Sequence, residues 1–406
     1  MRFDGLKGFR DFYPAEMAFR RWIEDAWQGA SRAAGFEEWD GPVLESLELI
    51  AAKSGAEIEA QLYAFDDKGG RRVTLRPEMT PTLARMVGAR AGGLPKPIKW
   101  YCVPQFFRYE NPQRGRGREF IQWNVDVIGS DEAAADAEVI AIALDALRRL
   151  GLGPEDVRVR LNDRGLLKRK LSQLDVSGDD EAPALACLDK LGRDRSAGAR
   201  LEELLGVDRA AQVAAWCREF PRDDAAELAP VLQACSEMGV GDFVEPDFTI
   251  VRGLAYYTGP VWEIFDRKET LRAVAGGGRY DGLIASLGGP DLPALGFGMG
   301  DMVLGELLRE RGLAPAEVPR IDTFVVPIGE DMLSAARRVV ARLRAAGVAA
   351  EAPYRAINVK RALRAADQAG ARRAVFVGTD EWADQSVKVR DLASGEERTV
   401  PFDELE

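Results

Sequence analysis

Three β-favouring segments set the architecture predicted for the first third of the chain. They read RRVTLRP, PIKWYCVPQFFRYE and EFIQWNVDVIG, and all lie within residues 71–129. β-branched and aromatic residues alternate there with turn residues, a pattern typical of antiparallel strands. Ahead of them, apolar residues at helical spacing predict an amphipathic helix over Glu16–Ala34, and a short strand interrupted by Gly41 and Pro42 is predicted over Phe36–Leu44. The sequence therefore predicts an antiparallel sheet flanked by helices.

The pattern changes twice further along the chain. A helix is predicted over 133–150 and a strand over 157–161, after which residues 167–244 are mostly helical and polar, as in an inserted helical module. Strand-like segments return as FTIVRGLAYYTGPVWEIFD, AVAGGGRYDGL and ALGFGMG, followed by a helix over Asp301–Arg311 with Asp301 as its N-cap. After a proline-bearing stretch at 312–319, the last 87 residues alternate strand and helix, which predicts a small α/β domain.

Length and alternation together predict an α+β chain of several domains, because 406 residues exceed one compact core. The predicted domains are an antiparallel-sheet domain over 1–166 and 245–318, a helical insertion over 167–244, and a C-terminal α/β domain over 320–406.

Composition excludes several classes of protein. Hydrophobic residues make up 46% and charged residues 30%, which fits neither a disordered nor a membrane chain, and MRFDGLKGFRDFYP lacks the apolar core of a signal peptide. We therefore expect a cytoplasmic protein with no membrane partner. The four cysteines form no CxxC pair, so no structural metal is expected. A net charge of −11 repels polyanions at long range, so RNA contacts require local basic patches, and no DNA partner is expected.

The chain contains no histidine. This removes the usual general base near neutral pH, the usual metal ligand and every Ser-His or Cys-His pair. Chemistry must then depend on Arg, Lys, carboxylates, Tyr or a metal carried by the substrate. The absence of histidine can also be explained without a functional cause, by compositional drift in an Arg- and Ala-rich genome.

An arginine-rich hairpin between two predicted strands is the strongest functional motif. Within FRYENPQRGRGREFIQ, residues Phe107–Gln122, Gly115 and Gly117 allow the loop to approach a ligand closely. Clustered guanidinium groups bind phosphate oxygens well. The hairpin therefore predicts a nucleotide-phosphate clamp, with a solvated charged hairpin as the alternative.

Three shorter motifs accompany the hairpin. In TLRPEMT, residues 74–80, Glu78 and Thr80 follow a proline turn and point toward one small cationic group, although an exposed strand end is equally compatible. RGLAYYTG spans 252–259, and GGGRYDG spans 276–282. Three successive glycines favour close backbone approach, with a structural bulge as the alternative.

In this order, GFRDFYP, TLRPEMT, FRYENPQRGRGREF, RGLAYYTG and GGGRYDG resemble the histidyl-tRNA synthetases, a family of class II aminoacyl-tRNA synthetases. The resemblance covers nearly the whole chain and implies a class II catalytic domain, a helical insertion and a C-terminal anticodon-binding domain. It also implies ATP as a substrate carrying Mg²⁺, L-histidine and tRNA(His) as partners, and a homodimer through motif 1, here the Trp22 helix and the Pro42 strand. No resident metal is implied.

The resemblance also assigns roles to individual residues. It implies that Glu78, Thr80 and Gln122 hold the α-amino group of histidine, and that Asp126, Tyr256, Tyr257 and Tyr280 surround its imidazole. Arg108 and Arg252 are the implied catalytic arginines at the α-phosphate of ATP, with Glu110, Arg116 and Arg118 at other positions facing the nucleotide. Attack by an ionised carboxylate needs charge neutralisation and alignment rather than a protein base, so the chemistry is compatible with a chain lacking histidine.

Three positions depart from the family pattern. Ile121 and Ala255 replace a frequent histidine and a frequent aspartate. Gly300-Asp301-Met302-Val303 replaces the Gly-x-Glu-Arg of motif 3, so the arginine expected over the adenine and γ-phosphate is missing, and ATP binding is expected to be weaker or differently arranged.

The C-terminal domain bears on two expectations, the choice between an enzyme and a regulatory protein and the contact with tRNA. The rival is a non-catalytic paralogue serving as a regulatory subunit of ATP phosphoribosyltransferase, but such proteins generally lack the C-terminal domain. In that domain the basic residues Arg355, Lys360, Arg361 and Arg364 predict a tRNA contact, with a solvated helix face as the alternative.

Overall fold

The computed structural model describes residues 3–52, 60–191, 196–219, 226–251, 256–315 and 320–406. Contacts divide the chain into two compact units, Met1–Ala314 and Pro315–Glu406. Neither unit contains, among these described residues, a helix that combines the length and apolarity needed to cross a bilayer.

The first unit contains the following helices and strands, in chain order: α1 (Pro14–Ala33), β1 (Glu37–Glu38), β2 (Leu44–Ser46), α2 (Leu47–Ala51), β3 (Ala64–Asp66), β4 (Arg72–Leu75), α3 (Thr80–Arg90), β5 (Ile98–Cys102), β6 (Gln105–Phe107), β7 (Glu119–Ile128), α4 (Ala133–Arg149), β8 (Val157–Asp163), α5 (Arg164–Gln173), α6 (Glu181–Lys190), α7 (Ala197–Leu205), α8 (Val207–Glu219), α9 (Ala229–Glu237), β9 (Val244–Pro246), β10 (Pro260–Asp266), β11 (Ala275–Arg279), α10 (Leu283–Ser286), β12 (Ala294–Gly300) and α11 (Asp301–Glu310).

A nine-stranded sheet forms the centre of this unit. Its order is β1-β5-β7-β12-β11-β10-β8-β9, and β6 pairs with β7 beside this path. The six strands from β5 to β8 in this order pair antiparallel, whereas β1 and β9 pair parallel at the two ends. A separate sheet has the order β2-β4-β3. The predicted antiparallel-sheet architecture is therefore confirmed.

The central strand β7 shows why one sheet face is core and the other can bear a site. Side chains alternate between the two faces of a strand. Trp123 and Val125 are 0% exposed and belong to the apolar cluster that includes residues of α1 and α4. Gln122, Asn124 and Asp126 therefore lie on the opposite face.

Two predictions for local structure are wrong, and a third is confirmed in part. The segment Phe36–Leu44 is not one strand, because β1 belongs to the central sheet and β2 to the small one. In 248–266, the strand prediction is confirmed over Pro260–Asp266 and wrong over 248–251 and 256–259, while 252–255 lie outside the described residues. Asp301 does not cap α11: Gly300 is the N-cap and Asp301 is the first helical residue, its carboxylate bonded elsewhere.

In the described parts of the segment predicted as an inserted module, the chain forms five helices, α5 to α9. The chain leaves the sheet after β8 and returns in β9, and β8 and β9 are hydrogen-bonded neighbours. A segment with adjacent ends can be inserted without disturbing the sheet. The domain bounds stay a prediction.

The second unit contains β13 (Thr323–Pro327), α12 (Leu333–Ala345), β14 (Ala350–Glu351), α13 (Val359–Gln368), β15 (Arg373–Val377), α14 (Thr379–Ala383), β16 (Ser386–Asp391) and β17 (Glu397–Pro401). Its sheet has the order β14-β13-β15-β16-β17, parallel over the first three strands and antiparallel over the last two. Alternating residues of β13 pack against α12 on one face and α13 on the other, as Val325 and Phe324 illustrate. The predicted small α/β domain is confirmed.

Candidate active site

Glycines make room for polar side chains on the open face of the central sheet. Gly296 and Gly298 of β12 pair with Asp126 and Asn124 of β7. A Cβ atom on Gly296 would lie 2.3 Å from Asp126 Oδ1, and one on Gly298 would lie 2.3 Å from Gln122 Nε2. Any larger residue on β12 would therefore displace the two β7 side chains, which explains the glycines of ALGFGMG.

Buried and half-buried acidic and aromatic residues from four segments meet over this face, in a cluster that we call the tyrosine pocket: Glu78, Asp126, Tyr256, Tyr257 and Tyr280. Tyr280 Oη donates to Asp126 Oδ1 at 2.5 Å, and Tyr256 Oη donates to Glu78 Oε2 at 3.4 Å. The rings of Tyr256 and Tyr280 meet edge to face at 5.9 Å. Residues more than 150 positions apart in the sequence thus lie in contact on this face.

Burial controls the ionisation of this pocket. Desolvation raises the pKa of Asp126 to about 7, although the hydrogen bond from Tyr280 opposes the shift. Desolvation and the neighbouring Asp126 carboxylate raise the pKa of the Tyr280 phenol well above its usual value. The pair therefore offers a hydrogen-bonding wall suited to a polar aromatic ligand.

The two remaining residues predicted for the α-amino group lie at the edges of this pocket. Gln122 lies four residues before Asp126 on the same face of β7, and its Nε2 donates to Asn124 Oδ1 at 2.7 Å. Thr80 is the first residue of α3, two residues after Glu78.

The arginine hairpin is held in shape by its own polar contacts. Arg108 Nε donates to Pro77 O at 2.9 Å, next to Glu78, and its guanidinium lies 5.2 Å from the centre of the Phe120 ring. Arg116 Nε forms a 2.5 Å ion pair with the buried carboxylate of Glu110. Arg118 lies over the Tyr109 ring at 4.0 Å and donates to Glu110 O. These contacts bring the hairpin base beside the tyrosine pocket.

A cavity of about 1010 Å³ lies beside this pocket, between the hairpin, the sheet and the insertion helices. We call it the arginine cavity, because Arg108, Arg116, Arg160 and Arg218 all line it, together with Gln122. Arg160 is neutralised by Asp247 and Glu269. Gln122 lines the cavity and shares its β7 face with Asp126, so the cavity and the tyrosine pocket adjoin along this strand.

The motif 3 position is apolar. Met302 and Val303 line the arginine cavity and pack against the hairpin. A Cβ atom on Gly117 would lie 3.1 Å from Met302 Sδ, and one on Gly115 would lie 3.1 Å from Val303 Cγ2. Arg114 forms ion pairs with Glu306 and Glu310, so the hairpin also contacts the next two turns of α11.

Several predicted residues do not lie in this site. Arg252 and Ala255 fall outside the described residues. Arg355, Lys360, Arg361 and Arg364 are exposed in the second unit, the last three on α13. Within the described residues no cluster of three or more cysteine, aspartate and glutamate side chains is arranged to hold a metal ion.

Sequence reasoning missed two features of the site. Asn124, 8% exposed, lies between Gln122 and Asp126 on the same face, and the period of two in β7 could have revealed it. Arg279 forms a buried 2.5 Å ion pair with Asp136, which fixes the chain immediately before Tyr280. Nothing in the sequence links these two residues, which are 143 positions apart.

The antiparallel sheet, the arginine hairpin and the separate α/β unit define the class of protein, a class II aminoacyl-tRNA synthetase. Comparison with known proteins agrees. A family model for histidyl-tRNA synthetase matches residues 8–300, and one for an anticodon binding domain matches residues 322–406.

Similar proteins extend over the whole chain. The histidine–tRNA ligase of Opitutus terrae is 41% identical over 424 residues, covering 100% of this chain and 97% of the relative. That of Halobacterium salinarum is 41% identical over 417 residues, covering 98% and 96%. A crystal structure of histidyl-tRNA synthetase from Nostoc superposes with a TM-score of 0.82 at 24% identity, covering 99% and 98%, which supports the fold. The chain belongs to the histidyl-tRNA synthetase family.

Proposed function

We propose that this chain activates L-histidine with ATP, forming histidyl-adenylate and pyrophosphate, and then transfers the histidyl group to the 3′ end of tRNA(His). The observation that carries the proposal is the position of the tyrosine pocket, which adjoins the arginine cavity along β7. An amino acid held in the pocket would face a triphosphate held in the cavity.

Recognition of histidine is assigned to the pocket. An imidazole ring can donate and accept hydrogen bonds, and Asp126 with Tyr280 supplies both kinds of partner. Tyr256 and Tyr257 provide aromatic surface beside them. We assign the α-amino group to Glu78, Thr80 and Gln122, because a carboxylate and two neutral polar groups suit an ammonium ion.

The chemical step needs alignment more than proton transfer. A carboxylate oxygen of histidine forms a bond to the α-phosphorus of ATP, while the bond from that phosphorus to the bridging oxygen breaks and its electrons leave with pyrophosphate. No proton moves, because the nucleophile is already ionised. We assign charge neutralisation at the α-phosphate to Arg108 and Arg252, and contacts with the rest of the nucleotide to Glu110, Arg116 and Arg118. Mg²⁺ would enter with ATP as part of that substrate.

The regulatory-subunit alternative has less support. Curated histidine–tRNA ligases match this chain over its full length, including the anticodon binding domain. Tyr256 and Tyr257, which we assign to histidine recognition, lie with their ring centres 5.2 Å apart.

Contact with tRNA is assigned to the exposed basic side of α13. Lys360, Arg361 and Arg364 are exposed there, while Ala362 and Ala366 face the core, so the helix presents charge outward. On a chain of net charge −11, such a local patch suits an RNA backbone.

We propose a homodimer through motif 1, and exposed apolar surface supports it. Val43 and Leu44, beside the Pro42 turn, are 47% and 44% exposed, and Phe65 in the same small sheet is 44% exposed. A partner subunit would cover them. Light scattering on the wild type and on Leu44→Asp tests this: we expect a dimer and a monomer respectively, and a monomeric wild type contradicts it.

Histidine-dependent exchange of label between pyrophosphate and ATP tests the proposed activity. We expect exchange with histidine and none with the other amino acids, followed by charging of tRNA(His). Folded protein that exchanges with no amino acid would contradict the proposal and favour the regulatory alternative.

A further inference from the structure

The motif GFRDFYP near the start of the chain has no role in the mechanism above, yet it contacts the first residues of β7. Gly8 O accepts the N–H groups of Arg118 and Glu119 at 2.8 and 3.3 Å. Arg10 Nη2 donates to Asp301 Oδ2 at 2.7 Å. The motif therefore connects the base of the arginine hairpin to the first residue of α11.

Asp301 marks the point where pairing between β7 and β12 ends. The last pair joins Gln122 and Gly300. At the next residue the backbone turns into α11, so it cannot continue the ladder. Instead, Asp301 Oδ1 accepts the N–H of Ile121 at 3.0 Å. The side chain thus replaces the missing backbone acceptor and extends the ladder by one residue.

This arrangement depends on a cation. Asp301 is 8% exposed and Ile121 is 1% exposed, so the carboxylate lies largely away from water. Burying a carboxylate is costly unless a charged partner and hydrogen bonds compensate it. Arg10 is that partner. Without it, the carboxylate would be drawn toward solvent and away from the Ile121 N–H.

A shift of the backbone at Ile121 would also move the neighbouring side chain that we assign to the substrate. Gln122 is the next residue, and its amide already fits closely over Gly298, where a Cβ atom would lie 2.3 Å from Nε2. Small misplacements of a positioning group cost large factors in rate or binding. Loss of the contact between Arg10 and Asp301 should therefore weaken the binding of histidine more than the binding of ATP.

We propose that Arg10 is a positioning residue for histidine: through Asp301 it fixes β7 at Ile121 and so sets the position of the Gln122 amide. The inference rests on the proposed function for the role of Gln122 and adds a partner that none of the motif assignments includes.

Pyrophosphate–ATP exchange with histidine and ATP varied separately tests it. For Arg10→Ala we expect the KM for histidine to rise about tenfold or more and the KM for ATP to change less than about threefold. In Arg10→Ala/Asp301→Asn the neutral amide still accepts the Ile121 N–H and needs no cation, so we expect the histidine KM to return to within about threefold of wild type.

The control is Arg311→Ala at the other end of α11. Arg311 pairs with Asp156 at 2.9 Å and is similarly half-buried, but it contacts neither β7 nor the site. We expect unchanged KM values. An Arg10→Ala enzyme whose two KM values rise together, or whose defect persists in the double variant, would overturn the inference.

A second measurement separates this inference from the proposed function. If the wild type exchanges with no amino acid, the proposed function fails, and calorimetric titration with histidine alone then judges the role of Arg10. Weaker histidine binding in Arg10→Ala, restored in the double variant, supports positioning. Equal affinity in wild type and Arg10→Ala overturns it.

Discussion

The tyrosine pocket and the arginine cavity adjoin along one strand but are built differently. In the pocket, Asp126 and Tyr280 are 6% and 3% exposed, and each polar group contacts another across the pocket. In the cavity, Arg116 keeps 34% of its side chain exposed. The amino acid that we propose for the pocket would meet a buried, fixed surface. The triphosphate that we propose for the cavity would meet cations that remain accessible to water.

This difference in solvent exposure matches the kind of recognition that each proposed ligand requires. Discrimination among amino acids needs polar groups that would be left unpaired by the wrong ligand, and this works only where water is excluded. Phosphates bind through charge, which acts at the surface as well. A site can therefore tolerate an apolar substitution such as Val303 in the cavity more readily than one in the pocket.

The largest effect should appear in the pH dependence of stability, through Asp126. Its pKa is raised to about 7 in the folded chain, so between pH 4 and 7 the folded state holds a proton that the unfolded state has lost. The stability from this group is present at low pH and disappears as pH rises through 7, by up to ~4 kcal/mol. Urea unfolding at pH 5 and pH 8 measures the part that is lost in this interval, ~3 kcal/mol.

Asp126→Asn is the matched variant, because its amide oxygen can still accept from Tyr280. We expect the fall in unfolding free energy between pH 5 and pH 8 to be smaller in Asp126→Asn than in wild type by most of that amount. The same pH slope in both proteins would show that Asp126 is not in a desolvated pocket.

On the cavity side, Arg108→Ala should lower kcat for exchange about 10²–10³-fold, the usual cost of removing one group that stabilises charge in a transition state. The folded state should be little affected, because Arg108 is only partly buried. Arg114→Ala is the control on the same hairpin: Arg114 pairs with Glu306 and Glu310 and does not line the cavity. Equal losses in the two variants would contradict the assignment of Arg108.

Gly298→Ala tests whether the glycines of β12 are needed to leave room for the polar side chains of β7. The added Cβ would lie 2.3 Å from Gln122 Nε2, so the amide must move. We expect the KM for histidine to rise about tenfold to a hundredfold, since displaced positioning groups cost factors of this size. Gly300→Ala adds a methyl group to the same strand with no atom within 4 Å, and its histidine KM should stay within about twofold. A similar rise in both would indicate a general effect on β12.

Much of this comparison was predictable from sequence. EFIQWNVDVIG is predicted as a strand, and the period of two along a strand puts its residues Gln122 and Asp126 on one face; the three glycines of GGGRYDG predict a close backbone approach. Local patterns of this kind depend on spacing along the chain, so they are visible before folding.

What the sequence did not reveal depends on contacts between distant segments. Asp301 precedes a helical pattern and was predicted as an N-cap, but its carboxylate bonds Ile121 and Arg10 instead, because tertiary partners outcompete the local cap. The ion pair of Arg279 with Asp136 likewise joins residues 143 apart. The interrupted Phe36–Leu44 segment was predicted as one strand, although Gly41 and Pro42 divide it between two sheets.

The smallest expected effect is a difference in salt dependence between the two substrates. Accessible arginines lose attraction for a triphosphate as ions screen them, because the Debye length falls from about 10 Å at 0.1 M to about 3 Å at 1 M salt. Groups buried in the pocket are screened much less. From 0.05 to 0.3 M KCl we therefore expect the KM for ATP to rise about threefold to fivefold and that for histidine to change less than about 1.5-fold. Exchange kinetics at fixed free Mg²⁺ measure both. If the two KM values rise in parallel, the pocket is as open to ions as the cavity, and the contrast between a buried amino-acid site and an accessible phosphate site fails.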